Sequence, residues 1–108
     1  MRRAVFALAV CTLGWSSPRA RDPEGQTIGI EHFAFAPTEL RVTLGDTVVW
    51  LNQDPFTHTT TADSAAWSSP ELASGQRFAM VATRQGRFSY HCAAHPVMRG
   101  VLIVQGRR

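Results

Sequence analysis

Near the C-terminus, the run Tyr90-His91-Cys92-Ala93-Ala94-His95-Pro96-Val97-Met98 spaces a thiol, an imidazole and a thioether three residues apart in turn. All three are soft or borderline donors. Two His and one Cys in a trigonal set, with a long axial Met, select copper for electron transfer. The run offers three of those four ligands, Cys92, His95 and Met98, and the second His must come from elsewhere. His58 is the best candidate. It follows the turn-forming Asn52-Gln53-Asp54-Pro55 and opens the β-prone run His58-Thr59-Thr60-Thr61-Ala62, so a β scaffold can bring it to the same end as the C-terminal loop. His91 alternates away from Cys92, and His32 precedes Phe33 in the first strand region; neither is expected to ligate.

Taken singly, a Cys or a Met is most often core filler, and a His a satisfied polar group. Their close spacing on one loop, with another His beside a second turn, favours a metal. Structural zinc prefers four His or Cys ligands, and a thioether suits it poorly. A Cys–His hydrolase would need an activating base, an oxyanion hole and a cleft, and beyond Cys92 and His95 no third group stands out. Metal-based catalysis needs an open coordination position, which Met98 tends to fill, so the chain is read as a carrier and not an enzyme. The alternative is a copper-trafficking protein, which would favour exposed Met or Cys clusters that the sequence lacks.

The chain that must position these residues has 108 residues, enough for one domain. Met1-Arg2-Arg3 is a basic start, Ala4 to Leu13 is an apolar run too short to span a membrane, and Ala20 is a small residue suited to cleavage. Residues 1–20 are read as a secretory signal and residues 21–108 as the domain, exported to the periplasm with no stable membrane insertion. A lipoprotein signal ending at Cys11 fits less well, because Val10 precedes the cysteine. Once Cys11 leaves with the signal, Cys92 has no disulfide partner in a compartment where thiols oxidise, and a bound metal accounts for it. The formal charge of +3 comes from Arg2, Arg3 and Arg19; from Arg21 onward acids and bases balance. No basic stripe with interleaved aromatics remains, so no nucleic-acid partner is expected.

The rest reads as strands and turns. Thr27-Ile28-Gly29-Ile30 begins a strand, and Phe33, Phe35 and Pro37 continue out of phase, which predicts a bulge or bend. Glu39 to Leu44 alternates, Gly45-Asp46 turns, and Thr47 to Leu51 is β-branched and aromatic. Asp63 to Ser74 is a connecting loop whose Trp67 packs onto the sheet. Gln76 to Val81 alternates with Phe78 and Met80 inward, Phe88 to Cys92 puts Phe88, Tyr90 and Cys92 on one face, and Val101 to Val104 is the last strand. Short strands at regular turn spacing predict an all-β, Greek-key β-sandwich with a single domain.

With these residues in view, the chain resembles the cupredoxins, the small blue copper proteins, and most closely their amicyanin-like members. Pro37-Thr38-Glu39-Leu40-Arg41-Val42 followed by Gly45-Asp46-Thr47-Val48-Val49-Trp50-Leu51-Asn52 is similar to the family's strand–turn–strand signature. Gly86 to Cys92 leading to His95-Pro96-Val97-Met98-Arg99-Gly100 is similar to its copper loop, in the short form with Pro96 directly after His95. The resemblance implies one type 1 copper ion bound by His58, Cys92, His95 and a weak axial Met98. It also implies a monomeric periplasmic electron carrier serving redox partner proteins, such as a dehydrogenase or a c-type cytochrome. The chain departs from the family in three places. Thr59 stands where members commonly carry an Asn that ties the ligand loops together, the extension expected to remain after cleavage is shorter than in amicyanin-like members, and the loop around Pro55-Phe56-Thr57 differs from the usual Met-Pro before the first His.

Overall fold

The structure is a computed structural model and describes residues 25–107. The expected leader over residues 1–20, with Cys11, lies outside the described residues. Eight strands follow in order: β1 Gly25–Glu31, β2 Ala34–Ala36, β3 Glu39–Thr43, β4 Thr47–Asn52, β5 Thr61–Ala62, β6 Arg77–Val81, β7 Gly86–Cys92 and β8 His95–Gln105. No helix occurs among the described residues. The strands form two four-stranded sheets, ordered β2-β1-β4-β6 and β3-β8-β7-β5, and the connections between β2 and β7 step repeatedly from one sheet to the other, as in a Greek-key sandwich.

Alternation builds the core. Ile28 and Ile30 of β1, Val48 and Trp50 of β4, and Tyr90 and Cys92 of β7 all point inward and are fully buried. Trp67 does pack down onto this layer, with ring centroids 5.6 Å from Trp50 and 5.8 Å from both Tyr90 and Phe88. Burial pushes the Tyr90 hydroxyl up to about 12, the nearby Trp50 indole opposing the rise, although the two polar atoms do not meet hydrogen-bond geometry. Gly100, opposite Tyr90 on β8, is what admits that hydroxyl: a Cβ there would lie 2.4 Å from it.

Two features set up the site end. β1 and β4 run parallel, with Ile30 beside Asn52, so the turn after β1 sits next to the loop after β4. β7 and β8 form a hairpin in which Cys92 pairs with His95 across Ala93-Ala94. The last strand therefore begins at His95, earlier than the expected Val101. The register breaks between His91 and Cys92, and Pro96, Val97 and Met98 bulge out before Arg99 pairs with His91. A Pro in a strand is tolerated at such an irregularity.

Two further expectations shift. The out-of-phase residues after β1 form a tight hairpin turn at His32-Phe33, with β2 pairing back antiparallel. In the run from His58 to Ala62 only Thr61–Ala62 is a strand, and His58 is held by an isolated bridge to Leu72.

Candidate metal centre

Cys92 ends β7 on its buried face, and the tight turn into β8 returns His95 beside it. His58 arrives from the other sheet's β4 loop. The ligand-type atoms of His58, Cys92 and His95 all lie within 4.8 Å of one another. Cys92 Sγ is 3.8 Å from His58 Nδ1 and 3.6 Å from His95 Nδ1. Bonds of about 2.05 Å to nitrogen and 2.3 Å to sulfur, typical of a comparable divalent ion, place N and S about 3.8 Å apart at a trigonal angle. The donor set fits a trigonal thiolate–imidazole site. Met98, three residues past His95, is 2% exposed, whereas its neighbour Val97 is 91% exposed. The bulge thus turns the thioether inward and leaves the valine out.

Asp54 fixes which nitrogen of His58 faces the cysteine. Its Oδ2 lies 2.8 Å from His58 Nε2, and both side chains are buried. A carboxylate at one ring nitrogen holds the proton there and leaves the other nitrogen's lone pair for a metal. Asp54 is itself placed by Asn52 at the end of β4, whose Oδ1 accepts the Asp54 N–H at 2.9 Å. The Asn52 amide donates to the carbonyls of Phe56 and Leu72, both at 2.8 Å, closing the loop that carries His58. Burial works to raise the Asp54 pKa, but N–H bonds from Phe33, His58 and His32 outweigh it and hold the carboxyl below its ordinary value.

Thr59 performs the tie that an Asn would make. Its hydroxyl accepts the Ala93 N–H at 2.8 Å, joining the His58 loop to the turn after Cys92, and its backbone N–H donates to Cys92 Sγ at 3.4 Å.

The outer side of the site is apolar and aromatic. The Phe33 and Phe56 rings meet tilted with centroids 5.0 Å apart, both substantially exposed, and Pro96 and Val97, next along the chain from His95, are exposed too. The Phe33 ring also meets both imidazoles, at 5.2 Å each. His91 is not part of the cluster: its Nδ1 binds Asp63 at 2.6 Å, and Arg99 pairs with the same carboxylate. His32 contributes its backbone N–H to Asp54.

Sequence reasoning missed Asp54 and Phe33. Asp54 falls within a turn-forming run that masks it, although a carboxylate four residues before a ligand-type His is a usable signal for a group that orients the ring. Phe33 left only a break in strand phase.

A model of the cupredoxin-like domain family matches residues 4–104. Amicyanin of Paracoccus denitrificans is 31% identical over 83 residues, 72% of this chain and 63% of that protein, so the match spans less than two thirds of the relative's length. A solved structure of an amicyanin mutant with Cu(I) superposes with a TM-score of 0.69 at 30% identity, covering 73% of this chain and 80% of the other. A purple cupredoxin from Nitrosopumilus maritimus superposes with a TM-score of 0.70 at 27% identity, covering 73% and 98%.

Proposed function

Since the chain belongs to the cupredoxin-like domain family, we propose that it is a periplasmic one-electron carrier whose copper is held by His58, Cys92, His95 and Met98. Copper, as one type 1 ion, is its cofactor, and electron transport is its class. The observation that carries the reading is the close approach of Cys92 Sγ to two imidazole nitrogens, 3.6 and 3.8 Å away.

Bound copper supplies a one-electron Cu(I)/Cu(II) couple. The protein's part is to hold the ligands in one arrangement for both oxidation states. Asp54 holds His58, the Thr59 N–H donates to the Cys92 sulfur, and the Thr59–Ala93 bond joins the two ligand loops. His95 is the half-buried ligand on the outer side, so its ring edge offers the shortest route for an electron to leave. The apolar rim of Phe33, Phe56, Pro96 and Val97 would dock a partner over a small area, below about 1,200 Å², in a weak and fast encounter. A dehydrogenase or a c-type cytochrome as redox partner fits this role. Arg99, beside the loop, shares its charge with Asp63, which tempers any steering of an acidic partner. Residues 1–20 would direct export and be removed; N-terminal sequencing of protein recovered from the periplasm tests that.

Voltammetry of the copper-loaded chain tests the carrier role. A reversible one-electron wave, and fast reoxidation of the reduced protein by a c-type cytochrome, are expected. Tight Cu(I) binding with no reversible wave, and transfer of the metal to a chelating acceptor protein, would refute it.

A further inference from the structure

The turn between β1 and β2 breaks a local rule. A two-residue hairpin turn with left-handed φ at both positions favours Asn-Gly. Here the two residues are His32, φ 56°, and Phe33, φ 57°. A bulky side chain suits that conformation poorly. Asp54, from a different loop, holds the turn in place: its Oδ1 accepts the His32 N–H at 2.6 Å and its Oδ2 the Phe33 N–H at 2.9 Å. The same Oδ2 meets His58 Nε2. One carboxylate therefore fixes both a ligand ring and a strained turn.

What the turn delivers is the Phe33 ring. It stands edge-on to His58, at 5.2 Å and 88°, and to His95, at 5.2 Å and 85°. The two imidazoles are themselves 5.2 Å apart at 63°. Phe56 packs against Phe33, their centroids 5.0 Å apart. The two histidines differ in their support. His58 is gripped through its far nitrogen, whereas among the described residues His95 has only Cys92 at its Nδ1 and ring contacts with Phe33 and His58. Backbone strain maintained by an over-determining partner beside a ligand site points to a role in that site.

We propose that Phe33 is a positioning residue of the metal centre: clamped by Asp54, its ring sets the tilt of the His95 imidazole against that of His58. The proposal rests on the reading of these two histidines as copper ligands. Phe33 does more, in this view, than contribute apolar surface to the rim.

The test replaces the turn by its relaxed form, H32N/F33G, in the full chain. Both backbone N–H groups persist, so Asp54 keeps its bonds, and the protein without copper should melt no lower than Phe33→Ala, which loses the same ring but keeps the left-handed strain. Without metal, NMR relaxation of the imidazole nitrogens should show His95 newly mobile and His58 unchanged. With Cu(II), the charge-transfer absorption and EPR hyperfine pattern should shift or broaden. Copper loss to a chelator should accelerate about tenfold, the scale of one edge-to-face aromatic contact. Phe33→Tyr should restore all three, and Phe33→Leu, which keeps apolar bulk without the ring, should not. Unchanged relaxation, spectra and chelator rate in H32N/F33G and in Phe33→Leu would overturn the proposal. A lower melting point for H32N/F33G than for Phe33→Ala would overturn the strain argument beneath it. A wild-type chain that lacks the charge-transfer band would instead overturn the copper reading, and this inference with it.

Discussion

Replacing Asp54 by Asn should uncouple the copper centre while leaving the sandwich folded. The carboxylate is 4% exposed and accepts three hydrogen bonds, from His32 N at 2.6 Å, Phe33 N at 2.9 Å and His58 Nε2 at 2.8 Å. An amide has one acceptor oxygen, so one position must present N–H groups instead. If these face His58, the ring must accept at Nε2 and carry its proton on Nδ1, against Cys92 Sγ, and the Phe33 N–H, which shares that oxygen, meets a donor. If they face His32, donor meets donor and the turn opens. Hydrogen bonds to a charged group are worth about 1.5–3 kcal/mol each, and neighbours are not additive, so a stability loss of about 2–4 kcal/mol is expected. Removing a group that orients a metal-binding His lowers affinity about 10–100-fold. Chelator competition for copper and urea unfolding of the metal-free protein measure the two effects. Because hydrogen bonding depresses the folded Asp54 pKa despite burial, its contribution is present above the ordinary carboxylate value of 3.8 and fades as pH falls through the lowered one. The wild-type advantage over Asp54→Asn should therefore be full at neutral pH and close in strong acid. Unchanged copper affinity, or a stability gap that persists in acid, would refute the role assigned to Asp54.

Thr59→Val keeps the shape of the side chain but leaves the Ala93 N–H without its 2.8 Å acceptor. It should cost about 1 kcal/mol by urea unfolding. Gly100→Ala would drive a methyl to 2.4 Å from the Tyr90 hydroxyl; overpacking of this kind costs about 1–3 kcal/mol or more, read as a lowered melting temperature. Asp63 is held below its ordinary value chiefly by its bond to His91 and then by Arg99. A carboxyl NMR titration should show its apparent pKa rising in His91→Gln, and no change there would remove His91 as the cause.

The hairpin that carries Cys92, His95 and Met98 was legible because its information is local. Cys92, His95 and Met98 sit within one hairpin, and the alternation of Phe88, Tyr90 and Cys92 already placed the sulfur on the buried face. His58 was legible as a ligand type, and its route to the site followed from turn chemistry. The start of β8 was misjudged because Pro96 argues against a strand, and only the bulge between Cys92 and Arg99 accommodates it. Asp54 and Phe33 were not legible as a pair. They are 21 residues apart and meet because β1 lies parallel to β4, a pairing that no local pattern encodes. The hairpin at His32-Phe33 was hidden for a related reason: its turn lacks the Asn-Gly signal and is held by a distant carboxylate.

The most direct test of the copper assignment is the visible absorption and EPR spectrum of the chain with one equivalent of Cu(II). A centre built on Cys92, His58 and His95 predicts an intense thiolate-to-copper charge-transfer band that disappears on reduction and in Cys92→Ser. A colourless protein, or Cu(II) bound with no such band, would contradict it.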